Sequence, residues 1–424
     1  KLDEFIPVGQ EFLLVVKAGR FRRATKFTLP QTDACKTTDL PTALPANPTR
    51  LPRTMADGIA VNIPRIAVTT GQVDAIECVL SKMGLADDEF KNPATPVSSG
   101  PARINLYRGG SKADPSGASL DAMTPHDSTL YGSAAQLESY DILVSDCEGM
   151  AYDQSGAQRT ADGAKVRQFL NRGGRMFASH LSFTWLNANG TQAYVEGAAT
   201  ETGLAAAATW ATMSDQEPSG LGAISQGRPN TSTRIQNFSD WMVNEKITTA
   251  PAYTFDISEP RSMSTGLGGS SEEFVYLQDG TKRTQQFSFN TPYGAPKEAV
   301  CGRVAYSGFH VAAASDPGGS GGSGAGGASG AAGGGGRAGG GGFPMPPGGG
   351  TPFADSIFPS HCGGDLTNQE KVLLYMLFDL GACIGVIPPP KCIPATCESL
   401  GATCGSTPDG CGNLLDCGPC MPPQ

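Results

Sequence analysis

Residues 367–381 constrain how this chain can fold more than any other stretch. Thr367-Asn-Gln-Glu370 is a capping box, with the Thr hydroxyl meeting an orphan amide while the Glu reaches back. Val372, Leu373, Leu374, Met376, Leu377, Phe378 and Leu380 then make a helix apolar nearly all round, stopped by Gly381. Such a helix must be buried in something large. Just upstream, residues 317–350 are more than half glycine, with Arg337 as their only charge. That composition is normally a flexible coil and supplies no core. The core must therefore precede it, and the glycine stretch, 317–351, is read as an insertion between the last strand and the last helix of one domain. A solvated surface loop is the plainer expectation, and glycine strands packed against a neighbour are the alternative.

The preceding sequence alternates strands and helices. Ile63–Thr69 is a short apolar strand, followed by a helix with Val73, Ile76, Val79, Leu80 and Met83 on one face. Arg103–Tyr107, Tyr140–Ser145, Arg175–Ser179 and Arg303–Ser307 read as further strands, and 164–171 as a helix closed by Gly173-Gly174. Glu273–Leu277 and Thr284–Asn290 flank Asp279-Gly280, a tight-turn dipeptide. The expected fold is α/β, a mostly parallel, flavodoxin-like sheet with helices on both faces. Residues 1–50 add a short β remnant, 55–385 the core and 386–424 a small disulfide-rich tail.

The tail holds Cys392, Cys397, Cys404, Cys411, Cys417 and Cys420 among Gly, Pro, Thr and Asp, so it folds only if stapled. Three disulfides in an oxidising compartment are the expectation, although 15 connectivities are open. Zinc is the weaker reading, because Cys417-Gly-Pro-Cys420 lacks a second close pair. Upstream, Cys362 and Cys383 bracket the last helix and are expected to pair. Cys147 is expected to be bridged, with Cys35, Cys78, Cys301, Cys362 and Cys383 as the remaining pool. A net charge of -9 argues against a nucleic-acid or anionic-membrane partner. No apolar run approaches the roughly 20 residues of a membrane span. The chain opens at Lys1, as expected of a processed or truncated form.

The order YDILVSDCEG, a helix, GGRMFASH, GRVAYSGFH and a final helix resembles the class I glutamine amidotransferase-like fold, in its ThuA-like branch. The resemblance covers about residues 62–384 without the insertion. It implies an oxyanion-type loop near residue 146 and a nucleophile elbow near residue 180, with His180 where amidotransferases carry cysteine. Phe309-His310 resembles the later Gly-His of the branch. Residues 1–30, the closing helix and the cysteine tail together resemble exported surface proteins of myxobacteria that join a carboxypeptidase regulatory-like β-sandwich to such a core. No defined activity follows from that resemblance.

The carboxyl ends of parallel strands are where sites form, and His180, His310, Asp146 and Glu148 are expected there as a metal-binding or acid-base set. No cofactor is expected. Without an elbow cysteine the thioester route is lost, and Ser179 or Ser182 would need a base and an oxyanion hole. Two readings stand. One is an extracellular or cell-surface structural or adhesive protein on a non-catalytic core, contacting copies of itself or surface material, since a truncated sandwich leaves an unpaired edge. The other is an exported hydrolase of a sugar or peptide, centred on His180 and His310.

Overall fold

The computed structural model describes residues 8–33, 39–41, 47–149, 156–187, 204–210, 220–225, 232–261, 263–280, 282–311, 356–384, 396–397, 405–408 and 414–419. The glycine stretch 317–351 lies outside them, as do Cys35, Cys392, Cys404, Cys411 and Cys420. The chain divides into two units, Lys1–Ile384 and Gly385–Gln424.

The first unit is α/β, as expected, built on a ten-stranded mixed sheet. From one edge the strands run Thr254–Ile257, Gly220–Ile224, Ser271–Leu277, Thr284–Thr291, Gly302–Ser307, Arg175–Ser179, Ile142–Ser145, Ile66–Thr70, Ile104–Arg108 and Phe90–Lys91. Pairing is parallel from Gly302–Ser307 onward and antiparallel before it. The Asp279-Gly280 turn joins two strands of the antiparallel wing, with Gly280 at φ 87°.

The central strands Ile66–Thr70, Ile142–Ser145 and Arg175–Ser179 are largely apolar because both faces are covered. Ile66, Val68, Ile142, Val144 and Phe177 point to one core, while Ala67, Leu143, Met176 and Ala178 point to the other, the two-residue alternation of a pleated strand. Helices Ile76–Lys82, Thr233–Asn244 and Asn368–Leu380 cover the first face, and Gly156–Asn171 covers the second. That last helix starts at Gly156 rather than Ala164, because its first turns are polar and carry no apolar period.

Asn368–Leu380 is buried as its composition demands, and both halves of the capping box form. The Glu370 amide donates to Thr367 Oγ1 at 3.2 Å and the Thr367 amide to Glu370 Oε2 at 2.7 Å. The other Glu370 oxygen accepts from buried Lys82 at 2.7 Å. Thr367→Ala is expected to destabilise the fold by about 1 kcal/mol, read as a lower urea midpoint with unchanged slope.

Strands Glu11–Ala18, Phe21–Thr28 and Ala60–Asn62 form a separate three-stranded antiparallel sheet. It is anchored on the core by Phe21, edge-on to Phe378 at 5.8 Å, and by an Arg20–Asp141 ion pair. In the tail unit, Ser406–Pro408 pairs with Leu414–Asp416, and Cys397 is bonded to Cys417. Among the described residues no helix is long and apolar enough to cross a membrane.

The upstream cysteines differ from expectation. Cys362 is bonded to Cys78, not to Cys383, with a Cα–Cα separation of 5.0 Å. The helix sets its two ends about 20 Å apart, and at its amino-terminal side Cys362 packs beside Cys78, to which it is bonded. Cys147 is not bridged either, being a buried free thiol, while Cys301 and Cys383 are exposed free thiols.

Candidate active site at the carboxyl edge of the parallel strands

Strands Ile66–Thr70, Ile142–Ser145, Arg175–Ser179 and Gly302–Ser307 end together, and the residues just beyond them meet. His180 follows its strand at once and opens a 3-10 turn, His180–Trp185, at φ 38°. A side chain other than glycine is strained there. Tyr306 Oη donates to the His180 carbonyl at 3.2 Å, and Ser182 Oγ donates to the Asp146 carbonyl at 2.8 Å, so the turn is pinned on two sides.

His180 and His310 come together, as their positions after neighbouring strands require. His310 Nε2 lies 3.0 Å from His180 Nδ1, and Cys147 Sγ lies 3.2 Å from the same nitrogen. On its far side His310 Nδ1 is 3.2 Å from Glu259 Oε2. The backbone of His310 is held by Gln369, whose side chain donates to its carbonyl at 2.7 Å. Cys147, His180 and His310 are all buried, whereas the Glu259 side chain is half exposed. Gly71 is required here, because a Cβ at that position would lie 2.1 Å from the Cys147 carbonyl oxygen.

Asp74 underlies the cluster. It is fully buried and accepts from the Val311 amide at 2.8 Å and from the Ser179 hydroxyl. Burial pushes its carboxyl up, against the opposing pull of His310 and these hydrogen bonds. Burial and the nearby His310 hold the His180 imidazole well below its usual range, so it is neutral. For His310 burial acts downward, but the fields of Asp74 and Cys147 and the Glu259 contact outweigh it and push it up to about 10.

The two carboxylates grouped with the histidines by sequence make their hydrogen bonds elsewhere. Asp146 Oδ2 accepts from the Ile76 amide at 3.3 Å, and burial together with Glu77 and Asp74 keeps its carboxyl well above the usual range. Glu148 Oε2 accepts from the Gly110 amide at 3.1 Å, with burial and Asp127 pushing it up likewise. Ser179 is tied to Asp74 and Ser182 to Asp146 and Ser145, so neither hydroxyl faces an incoming group. Sequence reasoning missed Glu259 and Asp74, which sit in loops with no pattern of their own, and placed Cys147 in a bridge.

Two groups of side chains have metal-ligand character among the described residues. One is Cys147, His180 and His310, and the other is Cys78, His361 and Cys362, whose sulfurs are bonded to each other. A cleft of about 300 Å³ lies at the opposite, amino end of the strands, lined by Lys17, Arg20, Arg22, Asn62, Arg175 and Cys383.

No family model and no curated protein matches the chain. Among solved structures, a ThuA-like protein from Bacteroides uniformis is similar over 59% of this chain and 84% of its own, at 8% identity and TM-score 0.30. A cytoplasmic protein from Salmonella typhimurium is similar over 72% and 85%, at 7% identity and TM-score 0.29. A cold-adapted β-galactosidase from Rahnella sp. R3 is similar over 59% of this chain but only 29% of its own, at 10% identity and TM-score 0.27. Likeness at that level decides neither family nor activity.

Proposed function

We propose that this chain is an exported hydrolase on an amidotransferase-like core, with Cys147, His180 and His310 as its reaction centre and Glu259 orienting His310. The observation that carries the reading is the meeting of those side chains, 3.0 and 3.2 Å apart, at the carboxyl edge of parallel strands around a strained histidine. Strain of this kind gathers at functional sites because the surroundings must over-determine it. Open α/β sheets bind their ligands at that edge. Cys147 is held against His180 Nδ1 at 3.2 Å, and on this reading it supports the two rings rather than attacking a substrate. Water is then the nucleophile, and the bond cleaved is in a sugar or a peptide. Disulfides at Cys78–Cys362 and Cys397–Cys417 support placement outside the cytosol.

Hydrolysis of chromogenic glycosides, esters and peptide amides by the purified chain tests this. His180→Ala and His310→Ala are expected to lower kcat/KM by about 10²–10⁴-fold, whereas Leu13→Ala, on the exposed hairpin, should leave it unchanged. Activity that survives both histidine changes would remove the reading.

A structural or adhesive role is favoured by one separate observation. Strand Glu11–Ala18 is the edge of its small sheet and exposes Leu13 (56%) and Val15 (47%). On that reading the protein self-associates through this edge, and Val15→Lys should shift its sedimentation toward the monomer. An unchanged, concentration-independent monomer in both forms sinks it.

A further inference from the structure

We infer that Cys147 Sγ, His180 Nδ1 and His310 Nε2 are three ligands of a divalent transition-metal ion of the zinc class, with a fourth position left for water. The inference deepens the hydrolase reading, on which its catalytic meaning rests, but metal binding itself is independent of it.

Three donor atoms converge at one point. His180 Nδ1 offers one lone pair, yet it faces both the Cys147 sulfur at 3.2 Å and His310 Nε2 at 3.0 Å. The His310 N–H and the Cys147 thiol proton compete for that one lone pair, so the two short contacts cannot both be good hydrogen bonds. A cation at the centre of the three satisfies all of them at once. The three ligand atoms lie within 4.8 Å of one another. Around a tetrahedral zinc ion with bonds of about 2.0–2.3 Å, ligand atoms stand roughly 3.3–3.7 Å apart. The His180–His310 and His180–Cys147 spacings need to open by only a few tenths of an ångström to admit one.

The ligands are also supported from outside. Glu259 engages Nδ1 of His310, which leaves Nε2 aimed inward, the carboxylate–histidine arrangement that orients metal-bound imidazoles. The strained turn at His180 holds its ring against Cys147, and Gly71 gives the Cys147 backbone the room to sit there. These features have no purpose in ordinary core packing, where a leucine would cost less than three buried polar groups.

The donor set then selects the ion. One thiolate and two imidazoles suit borderline metals such as Zn²⁺ or Co²⁺ and are poor ligands for Mg²⁺ or Ca²⁺. Three protein ligands with one open position mark a catalytic rather than a structural zinc site. An occupied site also accounts for a buried unbridged thiol in a chain that forms disulfides elsewhere, since a metal-bound thiolate is protected from pairing.

The test uses the full chain, stripped with a chelator and titrated with Co²⁺ and then Zn²⁺. One Co²⁺ per chain is expected, with a sulfur-to-cobalt charge-transfer band that Zn²⁺ abolishes. Cys147→Ser should remove the band, Glu259→Gln should weaken binding about 10–100-fold, and a Cys78→Ser/Cys362→Ser chain should bind as the parent does. If Cys147→Ser does not fold, X-ray absorption of the zinc-loaded parent must show one sulfur and two imidazole nitrogens. Absence of stoichiometric binding, or a cobalt band that persists in folded Cys147→Ser, overturns the inference. Hydrolysis undiminished after chelation overturns it too while leaving the hydrolase reading intact. Stoichiometric metal on a chain that hydrolyses nothing supports the site and removes the hydrolase reading instead.

Discussion

Asp379→Ala is expected to destabilise the protein by about 3–5 kcal/mol, the largest loss from any single substitution considered. Asp379 lies near the end of the buried helix Asn368–Leu380, where a negative side chain opposes the helix dipole. It is tolerated because two arginines enclose it. Arg234 Nε donates to Oδ1 at 3.0 Å and its Nη2 donates to Oδ2, while Arg303 Nη1 reaches Oδ2 at 3.3 Å and the Asp379 carbonyl at 2.8 Å. The side chains of Asp379 and Arg303 are only 7% and 5% exposed, so solvent cannot replace the lost carboxylate. An exposed pair would contribute about 0–1 kcal/mol, and it is burial that raises the figure. After substitution Arg234 keeps Glu272 at 2.5 Å, but Arg303 is left with the neutral Asn290 side chain and main-chain oxygens. Burial and the neighbouring Arg234 already press the Arg303 guanidinium down to about 10. Urea denaturation measures the change, and a loss below about 1 kcal/mol would mean that water reaches the network.

Removing the Cys78–Cys362 bridge in a Cys78→Ser/Cys362→Ser chain is the second large effect, expected at about 3–5 kcal/mol. The bridge spans 284 residues, so in the chain-entropy account it restricts the unfolded state far more than Cys397–Cys417, which spans 20. It also fastens helix Ile76–Lys82 to the segment that leads into Asn368–Leu380, beside a His361–Glu77 contact of 2.8 Å. The loss therefore falls in the main unit. Cys397→Ser/Cys417→Ser should leave the main unfolding transition where it was. If the two double variants shift it equally, the loop-length account fails.

His180 and His310 were legible as a pair because they lie one and three positions beyond neighbouring strands, and parallel strands in register bring such positions to one edge. Asp146 and Glu148 follow a strand equally closely, yet their hydrogen bonds run to Ile76 and Gly110. What differs is the turn, which sets the direction of a side chain within one or two residues and has no periodic signature. The antiparallel wing was readable only at its Asp279-Gly280 hairpin. Gly220–Ile224 and Thr254–Ile257 are short strands at the sheet's edge, and neither shows the long apolar runs of the central ones. Glu259 could not have been found, because its role exists only through His310, which is 51 positions away.

The amino-acid sequence alone determined the strands of the parallel half other than Phe90–Lys91, the last helix with its cap, and the need for staples in the tail. These are matters of near neighbours, where a period of two or 3.6 residues and a four-residue cap suffice. Only the tertiary structure decided that Cys147 stays a thiol beside His180, that Cys362 joins Cys78, and that Glu259 and Asp74 attend His310. Those contacts close loops of 33, 284, 51 and 236 residues counted from the positions themselves. Across such distances the partner is chosen by how the sheet and helices pack, and no local pattern records it.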